Sequence, residues 1–151
     1  MRVVIPRIGI VLGENGGALQ KMLLPFRLFA GGLLGSGRQW FPWVHRDDVV
    51  NIIRFAIARK ELSGPVNVAA PEIVRMKGFC RLLGNTLHRP IWAPVPAPIL
   101  RLALGEMAMI VLTGQKVLPV KLLENHYTFI FPKLKDALRD ILRDRPKKSQ
   151  G

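Results

Sequence analysis

The run RVVIPRIGIVLG, residues 2–13, constrains the fold more than any other stretch. It is rich in Val and Ile, is flanked by charge and closes on Gly13. Strands that face solvent on one side alternate polar and apolar residues. A near-continuous apolar strand suits a parallel sheet covered on both faces. Pro6 is tolerated at an edge or a bulge.

The next seventy residues keep an α/β rhythm. GGALQKMLLPFRLFAGG (16–32) reads as a helix, with Leu19, Met22, Leu23 and Phe26 on one stripe and Gly31 and Gly32 as its stop. Pro25 is expected to kink it or end it early. WFPWVH (40–45) reads as a short strand, after which Asp47 or Asp48 caps a helix with its stripe on Val49, Ile52, Ile53 and Ala56. ELSGP (61–65) is a turn, PVNVAAP (65–71) a second buried strand, and about 75–87 a helix carrying Met76, Phe79, Cys80, Leu83 and Leu87. Cys80 thus falls on a packed face, with no His or cation evident beside it to make it reactive.

From residue 88 the texture changes. HRPIWAPVPAPILRLALGE reads as a connector followed by short helices, and GQKVLPVKLLENHYTFIFP as short apolar pieces between turns. PKLKDALRDILRD (132–144) is the clearest helix, with Pro132 in its first turn; residues 145–151 are expected to fray. The fold class is therefore α/β with an appended small, mostly helical piece, and the strands are too few for a complete doubly wound sheet. The expected divisions are 1–88, 89–144 and a tail at 145–151.

Charge and composition narrow the function. With 23 Lys+Arg against 10 Asp+Glu, the net charge of +13 favours anionic partners. The basic residues are dispersed, and no aromatic-plus-basic stacking module accompanies them, so nucleic acid is not the expected partner. The longest apolar run, Met107 to Leu112, is far short of a membrane span. One cysteine excludes an internal disulfide framework and a multi-Cys zinc site. The start has no signal-peptide pattern, and the cytoplasm is the default compartment.

Several motifs imitate sites. GENGGA (13–18) follows a strand and precedes a helix, but Asn15 stands where a dinucleotide turn needs its second glycine. GLLGSGRQ (32–39) resembles a phosphate loop with Arg38 for the lysine and Gln39 for the magnesium-binding hydroxyl, and a strand rather than a helix comes after it. His45, Asp47 and Asp48 are too few for a closed metal site, and no metal is expected. His88 and His126 have no evident partners and are read as surface or structural. No G-x-S-x-G elbow is present.

The succession RIGIVLGENGGALQKMLLPFRL, GGLLGSGRQWFPWVHRDDVV, GPVNVAAPE, LHRPIWAPVPAPILRLALGEMA and GQKVLPVKLLENHYTFIFPKLKDAL resembles the C-terminal half of the YfcH-like epimerase family. These are atypical extended short-chain dehydrogenases/reductases with a small C-terminal domain of unknown function. The resemblance implies NADP or NAD in the full-length family, and a hydroxyl- or keto-bearing or nucleotide-sugar-like substrate. It also implies that the strands here are the last ones of a partial Rossmann-type parallel sheet, with a cofactor-binding half and its glycine loop upstream of the matched segment. Tyr127 has Phe131 four residues on, so no Tyr-x-x-x-Lys is present and no catalytic residue carries over. The chain is read as a truncated member or C-terminal portion, expected to be inactive alone and to bind no cofactor tightly. Its expected partner is a separate N-terminal half or a second copy, joined through an exposed sheet edge.

Residue by residue, the resemblance places Ile8, Gly9 and Ile10 on the cofactor side. Leu12, Arg38, Gln39 and Trp40 fall on the substrate side. Ile10 and Leu12 are apolar where relatives carry an asparagine and a tyrosine. Phe41 stands where a diphosphate-pairing arginine is usual, and a phenyl ring supplies no fork of donors.

Overall fold

Gly9 divides the first strand run in two. In a computed structural model of the chain, describing residues 1–14, 17–27, 31–92 and 94–143, β1 (Val4–Ile8) pairs in parallel with β5 (Gly64–Val68). Beyond Gly9, β2 (Ile10–Leu12) pairs in parallel with β4 (Trp43–His45) instead. The changeover is built from two backbone bonds: Gly9 N–H donates to the Val68 carbonyl at 3.0 Å and Ile10 N–H to the Pro42 carbonyl at 2.6 Å. A Cβ on Gly9 would lie 2.4 Å from the Pro42 carbonyl oxygen, so a side chain is excluded there by contact. β4 is bonded to both flanks, because Ala70 N–H, just past β5, donates to the Trp43 carbonyl at 2.8 Å.

The strand expected over 40–45 is interrupted at Pro42, which has no N–H for the ladder. Its first part, β3 (Trp40–Phe41), pairs antiparallel with β6 (Val74–Arg75), a short strand where the pattern of apolar residues predicts the start of a helix. α3 (Met76–Leu87) begins directly after it.

β4 is covered on both faces. Along β4, Trp43 belongs to one apolar cluster and Val44 to the other, as the two-residue period of a strand requires. The larger cluster joins Ile10, Leu12 and Trp43 to buried residues of four helices: α1 (Ala18–Arg27), α3, α4 (Ala97–Leu104) and α7 (Leu134–Leu142). α5 (Met107–Leu112) adds Ala108 and Val111 to the same cluster. The smaller cluster sets Val44, Val66 and Val68 against Ile52 of α2 (Arg46–Ala58) and Leu122 of α6 (Val120–Glu124).

Pro25 does not end α1, which runs on to Arg27; the remainder of the expected helix enters residues 28–30, outside the described residues. α6 is a helix of one turn where short apolar pieces between turns were expected. Pro132 precedes α7 rather than opening it, because Lys133 is the N-cap. The expected fraying of 145–151 lies outside the described residues.

Candidate functional site

β1 is the least buried strand, although its sequence is that of an interior one. Ile5 and Ile8 are 53% and 46% exposed. Pro6 and Arg7 are exposed too, and among the described residues β1 has β5 as its single strand neighbour. Ile8 and Gly9 form the end of this edge, and Ile10 turns into the core at 8% exposure. The N–H groups of Gly9 and Ile10 are already bonded to Val68 and Pro42. Gly9 and Ile10 therefore have no free N–H to offer a ligand.

Leu12 has no exposed surface and packs within the larger core. Arg38, Gln39 and Trp40 lie together after the turn at Gly35 and Gly37, both in the left-handed region (φ 64° and 74°). Gln39 is committed to structure: its amide donates to the Leu34 carbonyl at 2.9 Å and the Val111 carbonyl at 3.2 Å, tying the turn to α5. Arg38 is exposed, and its carbonyl accepts from Arg75 Nη1 at 2.9 Å. The same Arg75 guanidinium lies 4.3 Å from the Trp40 ring centre, with Lys116 Nζ at 5.4 Å. Two cations against one indole is a cation–π arrangement. The cleft lined by Trp40, Trp43, Glu72 and Lys116 has a volume of about 10 Å³, room for roughly one water.

Phe41 is 1% exposed and stacks on Phe79 with ring centres 4.1 Å apart. Where an arginine would reach for a diphosphate, this chain has a core contact between β3 and α3.

The cluster His45, Asp47 and Asp48 is rearranged by the fold. The N-cap of α2 is His45, not an aspartate: its Nδ1 accepts from Asp47 N–H at 3.0 Å. An Nδ1 that accepts leaves the proton on Nε2, which donates to Asp140 Oδ2 at 3.0 Å. The ring is 2% exposed and stacks on Phe131, centres 4.0 Å apart. His45, Asp47 and Asp140 bring potential metal-ligand atoms within 4.8 Å of one another, but both imidazole nitrogens are already engaged.

Asp48 points the other way. It is fully buried, and its carboxylate accepts from the Tyr127 hydroxyl, Ile130 N–H and Phe131 N–H, each at 2.9 Å. Burial, then the hydrogen bond and negative charge of Asp48, raise the Tyr127 phenol above its ordinary pKa, so the tyrosine is a neutral donor. Burial likewise pushes the Cys80 thiol up to about 11, against a smaller downward pull from the Leu34 backbone, and keeps it a packed, unreactive group. His88 and His126 both adopt positive φ, 53° and 61°, and His88 is the C-cap of α3. Sequence reasoning missed Glu72: its carboxylate accepts from Leu134 N–H at 2.6 Å, and its carbonyl accepts from the Trp43 indole at 3.1 Å.

Comparison with known proteins meets this geometry from outside. A family described as a domain of unknown function, DUF1731, matches residues 95–141. A chloroplastic SDR39U1 homologue of Arabidopsis thaliana, described as an epimerase family protein, is 50% identical over 95% of this chain and 41% of its own length. The epimerase family protein YfhF of Bacillus subtilis is 43% identical over 96% of this chain and 48% of its own. The crystal structure of human epimerase family protein SDR39U1 with NADPH superposes with a TM-score of 0.86 at 39% identity, over 95% of this chain and 49% of that one. This chain matches an epimerase-like extended short-chain dehydrogenase C-terminal region. The epimerase-like region spans about half the length of the curated relatives it matches. At 18% identity and a TM-score of 0.66, the NAD complex of Thermus thermophilus UDP-glucose 4-epimerase shares the fold. The chain is thus α/β with a Rossmann-type fold like that of these neighbours, one of which was solved with NADPH and the other with NAD. Among the described residues no helix is long and apolar enough to cross a membrane.

Proposed function

We propose that this chain supplies the substrate-side half of an NAD(P)-dependent epimerase-like catalytic unit, and that it requires a facing dinucleotide-binding half to act. One observation carries the reading: β1 has an interior strand's sequence and an edge strand's exposure. Parallel sheets are ordinarily covered, and an apolar strand edge with free N–H and C=O groups is a template for another strand. A second strand beside β1 would stand next to Ile8, Gly9 and Ile10, which then form the cofactor-side wall. The similarity to an NADPH-bound structure over about half its length supports this arrangement.

NAD(P), when bound, supplies a reversible hydride acceptor. The residues of this chain would do the rest of the positioning. Ile8 and Ile10 exclude water with apolar side chains. Arg38 offers an exposed cation, and Arg75 sets a second one against the Trp40 indole, suited to an anionic or hydroxyl-bearing substrate. The buried Phe41 offers no donor, so a nucleoside diphosphate would find no arginine there. The acid/base group belongs to the facing half, since Tyr127 is held by Asp48 on α2 and has no lysine four residues on.

The test is complementation. The purified chain is titrated with NADPH by cofactor fluorescence, alone and after mixing with the separately expressed N-terminal half of YfhF. The chain alone is expected to leave the fluorescence unchanged, and the mixture to give saturable binding. Tight NADPH binding by this chain alone would overturn the reading.

A further inference from the structure

α7 carries its charges in a file. The sequence places a basic–acidic pair every fourth residue, Lys135–Asp136, Arg139–Asp140 and Arg143–Asp144, the last beginning at the C-cap and ending outside the described residues. At 3.6 residues per turn this collects Lys135, Arg139 and Arg143 along one side. Like charges at four-residue spacing destabilise a helix unless something answers them. Asp140 is drawn away to His45. Among the described residues, no carboxylate lies within ion-pairing distance of any of the three cations.

The file lines a groove. Its other wall is the C-terminal part of α3 and its cap, which contribute Asn85, Thr86 and His88, and the groove, open to solvent on one side, has a volume of about 480 Å³. That lies within the range of small-molecule sites. Leu82 and Leu142, both partly buried against the core, give the groove an apolar surface. The Thr86 hydroxyl donates its one proton to the Leu82 carbonyl at 2.7 Å, so the donors left to an anion are the cations and Asn85. None of the cofactor-side or substrate-side residues belongs to it.

We propose that this α3–α7 groove binds a small molecule bearing two or more phosphates. Lys135 and Arg143 are eight residues apart, or roughly 12 Å along a helix at 1.5 Å per residue. One phosphate spans a fraction of that distance, and a linear polyphosphate spans more of it. Two of the three cations are arginines, whose planar forks match phosphate oxygens in pairs. Asn85 adds an amide donor opposite, and Leu82 and Leu142 accommodate an apolar moiety attached to the phosphates. An acidic protein segment is the other polyanion to consider. The groove volume and the facing polar wall favour the compact ligand. The proposal stands whether or not the dinucleotide half is required elsewhere.

The probes are sodium tripolyphosphate and ATP, titrated calorimetrically into the full chain, with a glutamate-rich peptide and sodium sulfate at matched ionic strength as comparators. Saturable one-to-one binding of both phosphate probes is expected, weakening as salt is raised. Combined Lys135→Gln, Arg139→Gln and Arg143→Gln should lower affinity about tenfold or more, the loss of roughly one strong charged contact. A matched set on exposed surface elsewhere, Lys21→Gln, Arg54→Gln and Lys60→Gln, should change it less than about twofold. Arg139→Gln alone, with its melting temperature checked, should give a smaller loss in the same direction. Equal losses in the two sets, or no saturation, would overturn the assignment. Preference for the glutamate-rich peptide would overturn it in favour of a protein interface.

Discussion

Asp48 holds together parts of the chain that are distant in sequence. It sits at the third position of α2, with no exposed surface, and receives three donors from residues 127–131. A buried carboxylate is tolerated when its lone pairs are filled, and here the Tyr127 hydroxyl and two backbone N–H groups fill them. Asp48→Ala would leave the Ile130 and Phe131 N–H groups without their acceptor. The expected loss is on the order of 3 kcal/mol, since each unsatisfied buried donor costs roughly 1–3 kcal/mol. Urea unfolding should show a lower midpoint with little change in slope. Asp48→Asn, which keeps one acceptor oxygen, should lose less. A midpoint within error of wild type for Asp48→Ala would show that water replaces the carboxylate.

α7 illustrates the same dependence at the level of an element. Its N-cap, Lys133, makes no side-chain cap hydrogen bond, and Asp136 is the acid of its first turn. The missing acceptor comes from Glu72, beyond β5, whose carboxylate takes Leu134 N–H. A carboxylate at a helix N-terminus both fills an orphan donor and opposes the helix dipole. Glu72→Ala should therefore cost about 1 kcal/mol, in the range of a lost cap. Hydrogen exchange should locate the effect, with faster exchange at Leu134 and its neighbours and unchanged rates in α2. Uniform acceleration across the chain would mean that Glu72 acts on global stability instead.

Helix periodicity is legible in the sequence for α1, α3 and α7, whose expected stripes are buried except for the partly buried Leu87 and Leu142, whereas in α2 Ile52 is buried and Ile53 of the expected stripe is 43% exposed. So is the packed state of Cys80, which follows from its place on the α3 stripe. The features that stay hidden depend on partners far along the chain. Local chemistry assigns the α2 cap to Asp47 or Asp48, because an aspartate is the usual cap residue. His45 takes that role, and Asp48 is claimed by a segment about eighty residues later. Gly9 reads as part of a continuous strand, since the Pro42 carbonyl that forbids a side chain comes from another element. At the candidate site, Arg38, Gln39 and Trp40 do lie side by side, yet Gln39 is spent on the Leu34 and Val111 carbonyls. Hydrogen-bond assignments of this kind have no periodicity to read.

At the scale of the whole molecule, the apolar surface is unevenly distributed. The β1 edge and strand contribute Val3, Ile5 and Ile8, all between 46% and 53% exposed. The outer face of α2 adds Val50, Ile53 and Ile57. Isolated exposed apolar residues are ordinary, but a sheet edge with free backbone groups and apolar side chains is a site of association. The chain alone should consequently self-associate as its concentration rises, and light scattering behind gel filtration should record the increase in mass. Ile5→Lys places a charge on the edge, where the side chain is already half exposed, so the fold should tolerate it with a change within about 0.5 kcal/mol. The variant should remain monomeric over the same concentrations and should fail to recover NADPH binding when mixed with the facing half. Lys60→Glu, at an exposed position just past α2 and outside the strand, should leave both properties as in the wild type. If Ile5→Lys pairs with the facing half as well as wild type does, β1 is not the joining edge, and the cofactor wall must be sought on another strand.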